Sequence, residues 1–89
     1  MKLGQRVRWE SSGGGNQTTK IGEVVRILKS GDAPWKIGHK EFPNHQLMFD
    51  GWGLPGGKNT QTAYLVEVIK SPRAKPRLYM PFPFRLMKD

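Results

Sequence analysis

Eight residues, KSPRAKPR from Lys70 to Arg77, carry four cations between two apolar runs. Cations at that density can grip phosphates, because each Lys or Arg that neutralises one releases condensed counterions. They equally suit a solvated hairpin loop, here stiffened by Pro72 and Pro76. The two readings are compatible, since a stiffened loop loses less entropy when it binds. Further cations stand at Arg6, Arg8, Arg26 and Arg85. Single-stranded nucleic acid is held where such cations interleave with aromatic rings, each stacked base contributing ~1–3 kcal/mol. Tyr79, Trp35 and Trp52 are the candidate platforms, and Tyr79 shares parity with Arg77 and Arg85, opposite the apolar residues of its segment. Trp9, Phe82 and Phe84 read instead as core. The candidate nucleic-acid set is therefore Arg6, Arg8, Arg26, Lys70, Arg73, Lys75, Arg77, Tyr79 and Arg85.

Other chemistries find less support. GWGLPGGKNT, Gly51 to Thr60, has the look of a phosphate loop, but that pattern requires glycine at position 52 and Ser or Thr at 59. Trp52 and Asn59 stand there, and no helix pattern follows. His39 and His45, with Glu41 and Asp50 nearby, lie six positions apart, which matches no helical or strand-turn ligand pair. The seven carboxylates are scattered, and no nucleophile, base and acid set can be read from order alone. The sequence thus assigns no catalytic residue, no metal ligand and no cofactor, and the expectation is a protein that is not an enzyme.

The elements that must position these residues belong to a short chain. Its 89 residues predict one domain, 1–89, and a fold of that size buries about two thirds of its unfolded surface, enough for one modest core rather than two. There is no cysteine, so no disulfide or thiolate zinc site holds it together, and a reducing compartment is compatible. Fifteen Lys and Arg against seven Asp and Glu leave a charge of +8, a field that draws polyanions whatever the fold. The N-terminus has no apolar leader and no run is long enough to span a bilayer, so the expected location is cytoplasmic, away from membranes.

Eleven glycines and seven prolines punctuate the chain too often for long helices. The visible period is two. Leu3, Val7 and Trp9 take one parity and Arg6 and Arg8 the other, a half-buried strand with a basic outer face. SSGGGN, Ser11 to Asn16, then reverses the chain. IGEVVRIL, Ile21 to Leu28, predicts a second strand with Ile21, Val25 and Ile27 on one face, ended by Gly31-Asp32. AYLVEVIK, Ala63 to Lys70, is apolar on both parities apart from Glu67, as a central strand covered on two sides would be. In LYMPFPFRL, Leu78, Met80, Phe82, Phe84 and Leu86 alternate with polar or proline residues. Pro81 and Pro83 remove donors along one side, which predicts an edge strand or a polyproline-like stretch. From Gly31 to Thr62 no period holds, apart from a short helix possible within His39 to Phe49.

Gly4-Gln5-Arg6-Val7-Arg8-Trp9, a polar glycine loop and Gly22-Glu23-Val24-Val25 together resemble the opening hairpin of SH3-like small barrels, the KOW and bacterial Tudor-like group. In that hairpin the glycines let the chain bend where the barrel turns a corner. The likeness covers about a third of the chain, and the segment from 31 to 62 has no counterpart in it. The closing KPRLYMPFPFRL is similar to small proteins carried by phages and other mobile elements. The resemblance implies a mainly β fold, a strongly bent antiparallel barrel of about five strands, with RNA, DNA, nucleoprotein or peptide partners. With the charge, it leads to an expected module that binds nucleic acid, or sits within a nucleoprotein complex, with little base specificity. The alternative is a protein interaction module, possibly homo-oligomeric, that docks through Trp35 and Trp52 in the 31–62 segment.

Overall fold

The first strand, β1 (Arg6–Gly13), buries Val7 and Trp9 and turns Arg6, Arg8 and Glu10 to solvent, as its alternation demands. Leu3 lies before it and is exposed. The computed structural model describes residues 2–13, 16–49, 62–69, 71–81 and 83–89. Over these run β2 (Asn16–Leu28), α1 (Pro34–Glu41), β3 (Gln46–Leu47), β4 (Ala63–Val68), β5 (Arg77–Tyr79), a 3-10 turn at Pro83–Arg85 and β6 (Met87–Lys88). No helix among the described residues is long and apolar enough to cross a membrane.

The class is mainly β with one short helix, but the expected five-stranded antiparallel barrel is corrected. Six strands form one mixed sheet in the order β3-β5-β4-β2-β1-β6. β3 runs parallel to β5, and every other neighbour is antiparallel. The two-residue strands β3 and β6 occupy the ends and do not pair with each other, so the described sheet stays open.

The sheet is nonetheless curled. Trp9 on β1 and Tyr79 on β5 are three strand steps apart, about 14 Å in a flat sheet at ~4.8 Å per step. Their ring centroids lie 5.6 Å apart in an edge-to-face arrangement. The first face must therefore fold inward, which brings Val7, Trp9, Val24, Val66 and Leu86 into one buried cluster with Tyr64 and Tyr79 against it. The opposite face carries a second cluster of Leu28, Ala63, Leu65 and Leu78, covered by Ile37 and Phe42 from α1 and its exit and by Leu47. One core was expected and two are present, back to back across shared strands. β4, apolar on both parities, serves both, as does β2 through Val24 and Leu28, and β4 lies in the interior of the sheet as its sequence predicts.

Three local expectations are revised. β2 buries Val24 and Leu28 rather than Ile21, Val25 and Ile27, because the register with β4 shifts between Val24 and Arg26 and the extra residue inverts the parity. Ile21 is left exposed. The helix lies at Pro34–Glu41 and not within His39 to Phe49: Pro34 supplies a preset φ at its start, and the Phe42 amide donates to the Gly38 carbonyl at its end. Gly38 lets it press on β3, since a Cβ there would sit 3.1 Å from the Leu47 methyls. Finally, LYMPFPFRL is not an edge strand. β5 stops at Tyr79, before Pro81 and Pro83, and is paired on both sides by β4 and β3. The chain then turns through Pro83–Arg85 to place Leu86 in the first cluster.

Candidate nucleic-acid interface

Gly22 is where the sheet divides. On one side β2 pairs with β1 all the way from Glu23↔Arg6 to Asn16↔Gly13, while on the other its ladder with β4 begins only at Glu23↔Glu67. Residues before Gly22 thus leave β4 behind and form an arm with β1 that is two-stranded from Lys20↔Trp9 to Asn16↔Gly13. The parting strands pass so closely at the branch that a Cβ on Gly22 would collide with the Glu67 carbonyl oxygen and lie 2.7 Å from Val66 Cγ1. Only glycine fits that corner. Gly4, just before β1, has φ +81 and donates its amide to the Val24 carbonyl at 2.7 Å.

On the curled face the division leaves a half-open cleft of about 350 Å³. Thr19, Lys20 and Ile21 line it from the arm, and Ile69, Arg77 and Tyr79 from the β4–β5 side. Lys20 is opposite Trp9 in the ladder, and its Nζ lies 5.3 Å from the centroid of the Tyr79 ring. That cation–π contact contributes ~0.5–1 kcal/mol at an exposed site. Among the described residues, no carboxylate pairs with Lys20 or Arg77.

The opposite side of the same division has the reverse character. Arg6, Glu23 and Glu67 line a smaller depression of about 240 Å³. Glu23 and Glu67 face each other across the ladder, a like-charge pairing that would be destabilising alone. Arg6 is the ladder partner of Glu23, and His45 Nε2 lies 2.6 Å from Glu67 Oε2, so each carboxylate has a cationic or hydrogen-bonding neighbour. His45 also packs its ring edge on Phe42, 5.1 Å between centroids, which seats the chain entering β3 over β4. No group of three or more His, Asp or Glu among the described residues is placed to hold a metal ion.

The nucleic-acid candidates therefore separate into groups instead of converging. Arg6, Arg8 and Arg26 lie on the second face. Arg6 reaches Asp89 at 3.5 Å with most of its side chain in water. Arg26 Nε is 3.3 Å from Glu41 Oε1, but its N–H is not aimed at that oxygen, so the pair is an electrostatic contact tying β2 to α1 and not a directed hydrogen bond. Arg8 is exposed between Ile21 and Met87. Arg73 and Lys75 are exposed in the connection between β4 and β5, where the Ala74 amide donates to Ser71. Ser71 to Pro76 thus lie in the loop of an antiparallel hairpin closed by Val68↔Arg77. Arg77 and Tyr79 share the curled face, as their parity requires. Tyr79 is not a free platform, however: it packs on the first cluster, with Trp9 at its edge and Lys20 over its ring. Arg85 is exposed on the 3-10 turn.

Of the partner-binding candidates, Trp35 is 47% exposed on α1, its ring set edge-on to His39 with centroids 4.0 Å apart. Lys70 and Trp52 lie outside the described residues. Lys20 is the site residue that alternation alone passes over. The strand expected over Ile21 to Leu28 starts one residue after it, whereas β2 extends back to Asn16 and so includes Lys20 opposite Trp9. The chain matches no protein-family model, no curated protein and no solved structure.

Proposed function

We propose that this protein is a basic, non-enzymatic module of the SH3-like small-barrel kind that binds nucleic acid through its phosphates, with little discrimination among bases. The observation carrying the reading is the cleft with Lys20 on one wall and Arg77 on the other, neither paired with a described carboxylate. A cation paired with a protein carboxylate must give up that partner to take a phosphate, whereas these two need not. Arg73 and Lys75 extend the positive surface along the β4–β5 loop, and the net charge of +8 supplies the long-range attraction. The glycine corner at Gly22 and the inward curl support the SH3-like kinship. Fluorescence anisotropy with labelled DNA and RNA at two salt concentrations tests the function. Affinity is expected to fall steeply with salt, with a slope growing by ~0.7–0.9 for each phosphate neutralised. Binding that is absent, or indifferent to salt, overturns it.

The exposed Trp35 favours a second reading, a protein interaction or self-association surface on α1. Under it, Trp35→Ala and Trp52→Ala abolish partner capture or dimerisation while nucleic-acid affinity stays unchanged.

A further inference from the structure

The cleft also has a size and a lining that select the form of nucleic acid, an inference that rests on the nucleic-acid reading. Its two walls are different elements, the β1–β2 arm and the β4–β5 hairpin, and they meet at the Gly22 corner. About 350 Å³ lies at the small end of the ~300–1,000 Å³ typical of small-ligand clefts, room for one nucleotide unit at a time. A duplex presents its phosphates on a rigid outer surface and is too wide to enter a cleft of about 350 Å³. A single strand can enter, with its backbone passing from one cation to the other and its sugar and base edges against Ile21 and Ile69.

We infer that the cleft is a single-strand site in which Lys20 exchanges partners. In the unbound protein its ammonium rests over Tyr79. An incoming phosphate, with a full negative charge, competes with a ring quadrupole for that ammonium and wins. Lys20 then swings to the phosphate and uncovers the upper side of Tyr79 for a base or sugar. Arg77 takes the neighbouring phosphate from the other wall. Tyr79 is thereby a platform available only to bound strand, which reconciles its occupied state here with an aromatic role in binding.

The test uses the full chain, a labelled single-stranded 12-mer and the same sequence annealed to its complement, in parallel with the variants Lys20→Ala, Arg77→Ala and Lys36→Ala. Lys36 is an exposed cation of α1, remote from the cleft in the fold, and controls for loss of one charge. The expected result is tighter binding of the single strand than of the duplex. Lys20→Ala and Arg77→Ala each weaken single-strand binding about tenfold, while Lys36→Ala changes it less than twofold. Thermal melts accompany each variant, so that loss of fold is not read as loss of a contact. Equal affinity for duplex and single strand, or equal losses in Lys20→Ala and Lys36→Ala, overturns the single-strand site but leaves the electrostatic function standing. No binding to either form overturns the function itself.

Discussion

The two faces of this sheet carry the same kinds of residue and use them differently. On the helix-covered face three polar pairs form, Arg26 with Glu41, His45 with Glu67 and Arg6 with Asp89, and Arg8 is left exposed. On the curled face the cations Lys20 and Arg77 border a cleft beside Tyr79, Ile21 and Ile69, and neither pairs with a carboxylate among the described residues. The difference teaches that net charge is a poor guide to where a polyanion would sit. What matters is which cations the fold has already committed, because a committed cation must lose one partner before it gains another.

That contrast can be broken most forcefully from the core. Trp9→Ala should remove ~3–5 kcal/mol from the curled face and Leu78→Ala ~2–5 kcal/mol from the other. Because β4 contributes to both clusters, each variant should still melt in a single transition in denaturant followed by circular dichroism. Two separated transitions would mean that the faces are independent units. Next in size is Gly22→Ala, which forces the strands apart at the branch and should destabilise by ~1–3 kcal/mol in the same assay. A neutral result would show that the corner tolerates a side chain and that the cleft is not fixed by it. His45→Ala should lower stability by ~1 kcal/mol, the value of one part-buried hydrogen bond, and more if Glu67 is then left opposing Glu23 without relief. Smallest of all, Arg26→Ala should cost between ~0 and ~1 kcal/mol, since the pair is over a third exposed and screened by solvent. Lys20→Ala should cost no more than the ~0.5–1 kcal/mol of its contact with Tyr79. The sharpest form of the contrast is therefore a marked loss of nucleic-acid affinity in the Lys20 variant and little or none in the Arg26 variant.

Much of this was legible before any coordinates. The strict alternation of β1 placed Val7 and Trp9 inside and Arg6 and Arg8 outside, and the two-sided apolar character of Ala63 to Val68 marked an interior strand. Those features depend on local period alone. What escaped depended on single residues that change a period or on partners far away in the chain. One extra residue at Val25 inverted the parity within β2, and a strand expected to begin at Ile21 left Lys20 outside it. Two prolines converted an alternating stretch into a strand only as long as Arg77–Tyr79, followed by a 3-10 turn. α1 lacks a side-chain cap and an acidic first turn, so its signal was reduced to Pro34 and the buried spacing of Pro34 and Gly38. The parallel pairing of β3 with β5 joins segments about thirty residues apart, with nothing in either that announces the other. For the site, the sequence supplied Arg77 and Tyr79 but could not say that the tyrosine ring was already occupied.

The pairing of β6 with β1 has a consequence for how the molecule is made. Val7 finds its neighbour in Lys88, and the Asp89 amide donates to the Arg6 carbonyl, so two segments about eighty residues apart in the chain are matched. Until residues 86–88 leave the ribosome, β1 has an uncovered flank and the indole of Trp9 lacks Leu86 against it. Folding that must await so distant a contact is slow, and a nascent chain holding an open strand edge is prone to join its neighbours. Loss of residues 86–88 is therefore expected to show first as poor yield from synthesis, ahead of any loss in ligand affinity.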